Sequence, residues 1–261
     1  MPDIHPSSVV EDGAVLGENV RIGPFCHVGP DVVLGSGCEL LSHAVVAGDT
    51  VLGDACRLFP FASIGHAPQD LKYSGERTQL RIGDRCTFRE GVTVNPGTAG
   101  DRSLTRIGND CFLLANAHVA HDCELGDRVI FSNNVMLAGH CTVGDGAILG
   151  GGAAVHQFAR IGRQAFVGGM AGVEGDVIPF GMALGNRAYL GGLNLIGMKR
   201  NGVPRESINA VRYAYKSLFD GKDTVAASAA RLLDETDDPY VREIASFVLF
   251  DTSRSLCTPR K

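Results

Sequence analysis

The chain has 261 residues, of which 44% are hydrophobic, and its 24 Lys and Arg residues against 29 Asp and Glu residues give a formal net charge of −5. This balance excludes a dominant basic surface and argues against binding to nucleic acid or to an anionic membrane. The sequence contains neither a signal-peptide pattern at its start nor a run approaching the roughly 18 apolar residues of a membrane span, so we expect a cytoplasmic protein without an integral membrane segment.

A repeat of six residues begins with the first residues of the chain. Stepping by six from Ile4 meets an aliphatic residue every time as far as Ile64, and the register resumes at Ile82. It then slips by one residue and runs from Ile107 to Val173. Neither a helix nor an ordinary strand has this period, whereas a short strand plus a turn forms one side of a triangular coil. The repeat therefore predicts a mainly β fold, a parallel β-helix in which three hexads complete one turn and successive turns stack at about 4.8 Å.

The position four residues after each aliphatic residue holds a small side chain. Seven of the eight cysteines occupy this position, and only Cys257 lies outside it. Because the interior of the coil limits their size, we interpret these cysteines as buried free thiols rather than as redox or metal-binding groups.

Two stretches leave the repeat and are predicted to form loops. Residues 66–81 do not fill the apolar positions, yet the phase of the repeat survives them. Residues 95–106 are rich in turn-forming residues and cause the one-residue slip, which marks a true insertion. Loops on a rigid scaffold often carry binding residues, so both stretches are candidate positions for them.

Beyond Val177 helical patterns replace the six-residue period. Apolar residues share one helical face over residues 208–218, and Asp238 followed by Pro239 resembles the start of another helix. We therefore predict a β-helix over residues 1–190 and a small α-helical C-terminal domain over residues 191–261. Between residues 187 and 222 basic residues outnumber acidic ones by seven to two, which indicates either solvated helix faces or a patch for phosphate or an acidic protein.

A cluster of polar residues interrupts the repeat in three successive coils. With three hexads per coil, the segments HVAHDC, LAGHC and AVHQF stack on one another, and Gly139 falls directly over His121. The stacking predicts a single patch that contains His121, Asp122, His140, His156 and Gln157.

Two chemistries fit this patch. In the first, a histidine is a general base, a carboxylate holds its tautomer and a backbone N–H stabilises an oxyanion, as acyl transfer requires. In the second, three neutral imidazoles bind zinc and leave one position for water, as in a hydratase or hydrolase. Asp122 and Gly139 favour the first chemistry. A binding module without catalysis is a further alternative, because the scaffold alone confers no chemistry.

The hexad repeat, the stretch APQDLKYSGERT, the segments NAHVAHDC, LAGHCTVGD, GGAAVHQF and NLIGMKRNG, and the helical tail together resemble the acyl-carrier-protein-dependent UDP-N-acetylglucosamine O-acyltransferase family. The resemblance covers essentially the whole chain. It implies a left-handed parallel β-helix and a homotrimer with active sites between subunits. It also implies transfer of a 3-hydroxyacyl chain from acyl carrier protein to the 3-position of the UDP-sugar, the first step of lipid A biosynthesis, without metal or other cofactor.

The resemblance also assigns roles to individual residues. His121 matches the general base, Asp122 the carboxylate that orients it, and the Gly139 N–H the donor to the thioester oxyanion. The residues that match substrate-binding positions are Asp70, Lys72, His118, His140, His156, Gln157, Asn194 and Arg200. Gly169 matches the position that limits acyl-chain length, and its missing side chain suggests a longer chain, although it is equally well explained as a turn glycine. The basic patch would receive acyl carrier protein, which is acidic.

Four residues depart from the family pattern. Asn95 and Pro96 stand where the family often has His and Arg, and Ile196 and Asn201 stand where members carry Glu and Arg. These departures leave open an acceptor with a 3-amino group, on which the product would be an amide instead of an ester.

Overall fold

The computed structural model describes residues 1–250 and 253–260, in which short strands coil in parallel and four helices follow. Numbered in chain order, the first strands are β1 (Asp3–Ile4), β2 (Val9–Val10), β3 (Val15–Leu16), β4 (Arg21–Ile22), β5 (His27–Val28), β6 (Val32–Leu34), β7 (Glu39–Leu40), β8 (Val45–Val46), β9 (Asp49–Leu52), β10 (Arg57–Leu58), β11 (Ser63–Ile64), β12 (Gln79–Ile82), β13 (Thr87–Phe88) and β14 (Thr93–Val94). The remaining strands are β15 (Leu104–Ile107), β16 (Phe112–Leu113), β17 (His118–Val119), β18 (Glu124–Leu125), β19 (Ile130–Phe131), β20 (Met136–Leu137), β21 (Thr142–Val143), β22 (Ile148–Leu149), β23 (Ala154–Val155), β24 (Arg160–Ile161), β25 (Phe166–Val167), β26 (Gly172–Val173), β27 (Gly181–Leu184) and β28 (Tyr189–Leu193).

Every third strand belongs to the same sheet, so the coil has three flat sides. Sheet A begins with β1 and has 11 strands, sheet B begins with β2 and has 9, and sheet C begins with β3 and has 8. Successive strands within a sheet pair in parallel up to β27, as where Ile130 of β19 lies opposite Ile148 of β22, and only the last pair of sheet A among the described strands, β27 and β28, is antiparallel. The predicted period of three hexads per coil is therefore confirmed.

The interior of the coil is filled by the residues that the repeat singled out. The aliphatic positions are almost fully buried from Ile22 onwards. The small positions line the inside of the corners, where Cys111 Sγ lies 3.2 Å from the Gly126 carbonyl oxygen and Cys123 Sγ lies 3.2 Å from that of Ala138. The seven cysteines of the repeat are free and buried, as predicted, and so is Cys257.

The two insertions explain how the phase of the repeat behaves. Asp49 of β9 pairs with Gln79 of β12, five hexads later instead of three, so the first insertion adds two whole hexads and leaves the phase unchanged. Gln79 pairs in turn with Leu104 of β15, so the second insertion adds one hexad and one further residue, which shifts the phase by one. Both loops end earlier than predicted, because residues 79–81 and 104–106 already pair as strands.

The helices are α1 (Leu195–Arg200), α2 (Arg205–Leu218), α3 (Val225–Glu235) and α4 (Pro239–Leu249). The predicted face of α2 is the buried one, since Ile208, Val211 and Leu218 are covered. Asp238 caps α4 by accepting hydrogen bonds from the backbone N–H groups of its first turn, and Pro239 follows it as predicted. None of the described helices is long and apolar enough to cross a membrane.

Helix α4 packs against the last coils through charged contacts. The Arg160 Nε lies 2.7 Å from a carboxylate oxygen of Asp176, which is fully buried, and Arg160 also donates to the Phe247 carbonyl oxygen. Three residues further along the chain, Arg163 contacts Glu243 of α4. After Val173 the hairpin of β27 and β28 extends sheet A at the end of the coil. The helices follow directly after this hairpin.

Candidate active site

The polar cluster lies along one corner of the coil, where the chain passes from sheet B to sheet C. Asp122, His140 and Phe158 hold the second turn position in three successive coils, and each has a positive φ of 57–66°. The His140 N–H donates to the His121 carbonyl oxygen at 3.0 Å, and the Phe158 N–H donates to that of Gly139 at 3.1 Å. These bonds confirm the predicted stacking of the three coils.

His121 and Asp122 form a hydrogen-bonded pair at the centre of the corner. The His121 Nδ1 lies 2.9 Å from Asp122 Oδ2, and the His121 side chain is 14% exposed while that of Asp122 is fully buried. A carboxylate can only accept, so Nδ1 carries the proton and Nε2 presents its lone pair. The ring is therefore oriented with one nitrogen fixed and the other available to take a proton.

Thr98, from the second inserted loop, holds Asp122 from the other side. Its backbone N–H lies 3.1 Å from both carboxylate oxygens, and its hydroxyl donates to Oδ2 at 2.6 Å. Burial raises the pKa of the Asp122 carboxyl, but the bonds from Thr98 and His121 outweigh it and leave the pKa below its ordinary value. Asp122 is therefore a carboxylate at neutral pH.

Gly139 lies under the face of the His121 ring. A β-carbon at this position would lie 2.7 Å from His121 Cε1 and 2.8 Å from Nε2, so only glycine lets the ring approach this closely. Among the described residues, none accepts a hydrogen bond from the Gly139 N–H. Gly139, with its unpaired backbone donor, therefore adjoins the His121 ring.

His140 covers the other edge of the pair. Its ring meets that of His121 edge-on, with centroids 4.8 Å apart, and stacks on Phe158 at 4.4 Å. The His140 Nδ1 lies 2.6 Å from a carboxylate oxygen of Asp101, which the second inserted loop also supplies. His140 is thus oriented in the same way as His121, by a carboxylate on Nδ1.

The remaining two histidines have different partners. The His118 Nδ1 lies 2.7 Å from the Thr93 hydroxyl, and burial together with the nearby His121 lowers the pKa of His118. The His156 Nδ1 lies 2.6 Å from the Arg254 guanidinium, which also donates to the Gln157 carbonyl oxygen. An arginine can only donate, so it makes His156 Nδ1 an acceptor.

Two cavities border this corner, one lined by His121 and the other by Thr98 and His140. The first has a volume of about 670 Å³ and is lined by His118, His121, Gly139 and Gln157 together with mainly apolar residues of sheet B. The second has a volume of about 930 Å³ and lies between the two inserted loops and the coil. The predicted site residues that line this second cavity are Asp70, Lys72 and His140.

Five predicted residues line neither cavity. Asp122 and His156 lie at the corner itself, whereas Asn194, Arg200 and Gly169 lie elsewhere in the chain. Asn194 caps α1, accepting from the Gly197 N–H and donating to the Gln164 carbonyl oxygen. Arg200 lies in the last turn of the same helix. Gly169 lies in the turn after β25, where a β-carbon would lie 3.3 Å from the Gly151 carbonyl oxygen.

The departures from the family pattern are also outside the two cavities. Asn95 is buried and donates to the carbonyl oxygens of His66 and Ala67, so it fixes the first inserted loop. Asn201 closes the C-terminal end of α1, and Ile196 is exposed on that helix. Among the described residues that line the two cavities, none is one of these three or Pro96.

A metal ion is the alternative that the same corner offers. The possible ligand atoms of His121, Asp122 and His140 all lie within 4.8 Å of one another. The zinc hypothesis, however, required three imidazoles, and the His156 Nδ1 lies beside a guanidinium. The Nδ1 atoms of His121 and His140 are both engaged by carboxylates, so zinc would need ligation through other atoms.

Thr98, Asp101 and Arg254 are the site residues that the sequence did not reveal. Thr98 and Asp101 lie in the insertion, where the repeat assigns no position to a side chain. Arg254 reaches the corner from the far end of the chain, and no periodic signal connects it with His156.

Comparison with known proteins gives relatives over the whole chain. A family model described as UDP N-acetylglucosamine O-acyltransferase, domain 2, matches residues 176–257, and the model for bacterial transferase hexapeptide repeats matches residues 13–48 and 104–139. An acyl-[acyl-carrier-protein]–UDP-N-acetylglucosamine O-acyltransferase of Rhizobium johnstonii is 54% identical over 259 residues, which are 99% of this chain and 95% of that protein. The enzyme of the same name from Rhizobium leguminosarum bv. trifolii is 56% identical over 259 residues, with the same coverage.

A solved structure agrees in fold. The UDP-N-acetylglucosamine acyltransferase from Campylobacter jejuni superimposes with a TM-score of 0.94 at 36% identity, covering 99% of this chain and all of that one. Together with the matched repeats, this similarity confirms the predicted left-handed parallel β-helix followed by a small α-helical region.

Proposed function

Because this chain belongs to the UDP-N-acetylglucosamine O-acyltransferase family, we propose that it acylates the 3-hydroxyl of UDP-N-acetylglucosamine from a 3-hydroxyacyl carrier protein, with His121 as general base. This is the first step of lipid A biosynthesis. The observation that supports the residue roles is the His121–Asp122 pair next to Gly139, whose backbone N–H makes no hydrogen bond among the described residues.

The proposed chemistry assigns one task to each member of the corner. The sugar hydroxyl attacks the thioester carbonyl while its proton passes to Nε2 of His121, whose tautomer Asp122 fixes. The negative charge that develops on the carbonyl oxygen is stabilised by the Gly139 N–H. The carbon–sulfur bond then breaks, and the carrier thiol leaves with the proton from His121. One ester forms as one thioester is lost, and no cofactor is needed because the acyl group arrives activated.

The substrates are assigned to the two cavities by the residues that line them. Asp70, Lys72 and His140 offer charged and hydrogen-bonding groups to a sugar nucleotide, whereas small apolar residues surround Gly139 and Gln157. The exposed basic residues of α2, such as Arg205, Arg212 and Lys216, would attract the acidic carrier protein.

We include assembly and location in the same proposal. Asn194 and Arg200 would complete the nucleotide site of a neighbouring subunit in a homotrimer, since they lie away from the cavities of their own chain. The substrates named for the relatives favour a cytoplasmic enzyme.

The experiment that tests the proposal measures the product directly. Purified protein is incubated with a mixture of 3-hydroxyacyl carrier proteins and UDP-N-acetylglucosamine, and mass spectrometry identifies the acylated sugar and its chain length. We expect His121→Ala to lose nearly all turnover with fold and oligomeric state retained, because a positioned base contributes roughly 10²–10⁴-fold. The control is His43→Ala, which removes an exposed turn histidine that stacks between Phe25 and Phe61 in another corner. Near-normal turnover in His121→Ala would contradict the assigned role.

A competition between acceptors tests the amide alternative. Equal concentrations of UDP-N-acetylglucosamine and its 3-amino analogue are offered, and the ester and amide products are quantified in the same spectrum. We expect the ester, since the departures from the family pattern lie outside the cavities. A dominant amide would show that the acceptor prediction is wrong while leaving the role of His121 intact.

A further inference from the structure

We propose that Thr98 is a positioning residue for the His121–Asp122 pair: it holds the Asp122 carboxylate in place and limits how strongly that carboxylate favours a proton on His121. The proposal rests on the acyl transfer proposed above, but its central measurement does not require turnover.

The geometry places Thr98 and His121 on the same carboxylate oxygen. Asp122 Oδ2 receives the Thr98 hydroxyl at 2.6 Å and the His121 Nδ1 at 2.9 Å. The Thr98 N–H is shared between both oxygens. Thr98 is 6% exposed and Asp122 is fully buried, so water cannot readily replace either donor. Three donors on one buried carboxylate fix its plane, and the plane fixes the ring of His121.

The loop that carries Thr98 is itself held in place. The Thr98 carbonyl oxygen accepts the Ser103 N–H at 3.1 Å, and the Gly97 N–H donates to the Gln79 carbonyl oxygen at 3.2 Å. A side chain at Gly97 would overlap the backbone of Leu104, so the loop can close this tightly only with glycine before Thr98. The fixed backbone of this loop thus holds Thr98 in position next to Asp122.

The electrostatic effect follows from where the donors point. The Thr98 N–H and O–H direct the positive ends of their dipoles at the carboxylate, so they reduce the negative potential that His121 experiences. The other titratable groups facing the pair are His140, whose Nδ1 lies 3.9 Å from Asp122 Oδ2, Asp101 beyond His140, and His118 beside His121. All of these remain when Thr98 changes, so the effect of Thr98 can be isolated.

The decisive variant is Thr98→Val, which removes the hydroxyl and keeps both the shape and the backbone donor. Asp122 then attracts a proton on His121 more strongly, so the pKa of His121 rises. The base form exists only above that pKa, and the acid limb of the kcat/KM profile therefore moves to higher pH. We expect kcat at neutral pH to fall by roughly 10–100-fold, the loss that follows when outer-shell partners of metal-bound histidines are removed, with KM for both substrates unchanged. Thr98→Ser, which restores the hydroxyl, should recover both kcat at neutral pH and the wild-type position of the acid limb.

A titration of His121 by NMR provides the readout that is independent of turnover. The ring signals are assigned by comparison with His121→Ala and followed against pH in the wild-type protein, Thr98→Val and Thr98→Ser. If the acyl transfer itself were wrong, no product would form but the shift in the His121 titration would still be observed. Thr98→Ala, which removes the same hydroxyl without adding a methyl group, replaces Thr98→Val if the valine variant does not fold.

A double-mutant cycle with Asp122→Asn tests whether Thr98 acts through Asp122. If it does, Thr98→Val has little further effect on kcat once the carboxylate is gone. An unchanged His121 titration in Thr98→Val, a failure of serine to restore it, or losses that multiply in the double variant would each overturn the proposal.

Discussion

Replacing Gly139 by alanine perturbs the catalytic corner through a single methyl group. The β-carbon would lie 2.7 Å from His121 Cε1, 2.8 Å from Nε2 and 3.2 Å from Nδ1, all atoms of one ring. Gly139 does not have a positive φ, so alanine fits its backbone without strain. The whole effect of Gly139→Ala therefore falls on the position of His121.

The distances set the size of the effect. To move from 2.7 Å to the 3.4 Å at which ordinary contact begins, the ring must retreat by at least 0.7 Å. That displacement takes Nε2 away from the attacking hydroxyl and stretches the 2.9 Å bond to Asp122. Misplacement of a reacting group by about 1 Å costs roughly 10²-fold in rate, and we expect a loss of kcat of about this size. The free energy of unfolding should change little, because the weakened bond to Asp122 offsets the gain from alanine, which restricts the unfolded chain more than glycine does.

The assay compares Gly139→Ala with Gly151→Ala. Gly151 holds the same first turn position in another corner, its carbonyl oxygen accepts the Met170 N–H as that of Gly139 accepts the Phe158 N–H, and a β-carbon there lies no closer than 3.4 Å to any group. Both variants should unfold close to the denaturant midpoint of the wild-type protein, while only Gly139→Ala loses turnover. Equal rates in the two variants would refute the reasoning, since the proximity of Gly139 to His121 is the only difference on which it depends.

Two further predictions concern the anchoring of α4 and the metal alternative. Arg160→Met leaves the fully buried Asp176 without its cation and should lower the free energy of unfolding by about 3–5 kcal/mol. The control Arg128→Met, at an exposed arginine, should leave the free energy of unfolding unchanged. Denaturant unfolding measures both variants, and equal midpoints would contradict the anchoring role. Dialysis against EDTA should leave the acyl-transfer rate unchanged, because the Nδ1 atoms of His121 and His140 are engaged by carboxylates. A rate that is lost on dialysis and restored by zinc would instead favour a metal-dependent enzyme.

The six-residue repeat predicted the scaffold because few arrangements of the coil are compatible with it. Each coil contacts only its neighbours, so a period of six with an aliphatic and a small position fixes three sides, a common register and the stacking of residues three hexads apart. The relation between His121, Gly139 and Gln157 followed from that arithmetic alone, and the structure confirms it. The ends of the two loops were misjudged, since residues such as Arg81 and Arg106 fill strand positions that the apolar pattern leaves blank.

The contacts that orient the histidines could not be derived in this way. Thr98 and Asp101 belong to the second insertion, and a repeat cannot state where an inserted residue points. Arg254 follows α4 and is 98 residues away from His156 in the chain. Sequence periodicity therefore located the imidazoles of the site but left their partners Thr93, Asp101 and Arg254 unpredicted. Asp101 and Arg254 determine which nitrogen of His140 and His156 carries the proton.

The two inserted loops and the catalytic residues nevertheless occupy the same corner of the coil. The first insertion follows Ile64 and the second follows Val94, the last residues of β11 and β14 in sheet B. His121 lies two residues beyond Val119, the last residue of β17 in that sheet. A parallel coil places the same corner of successive turns in a line, so a loop inserted at one turn extends over the turns that follow. This is why a short insertion can bring Thr98 to Asp122 in the next coil and Asp101 to His140 one coil further, without disturbing the stacking of the core.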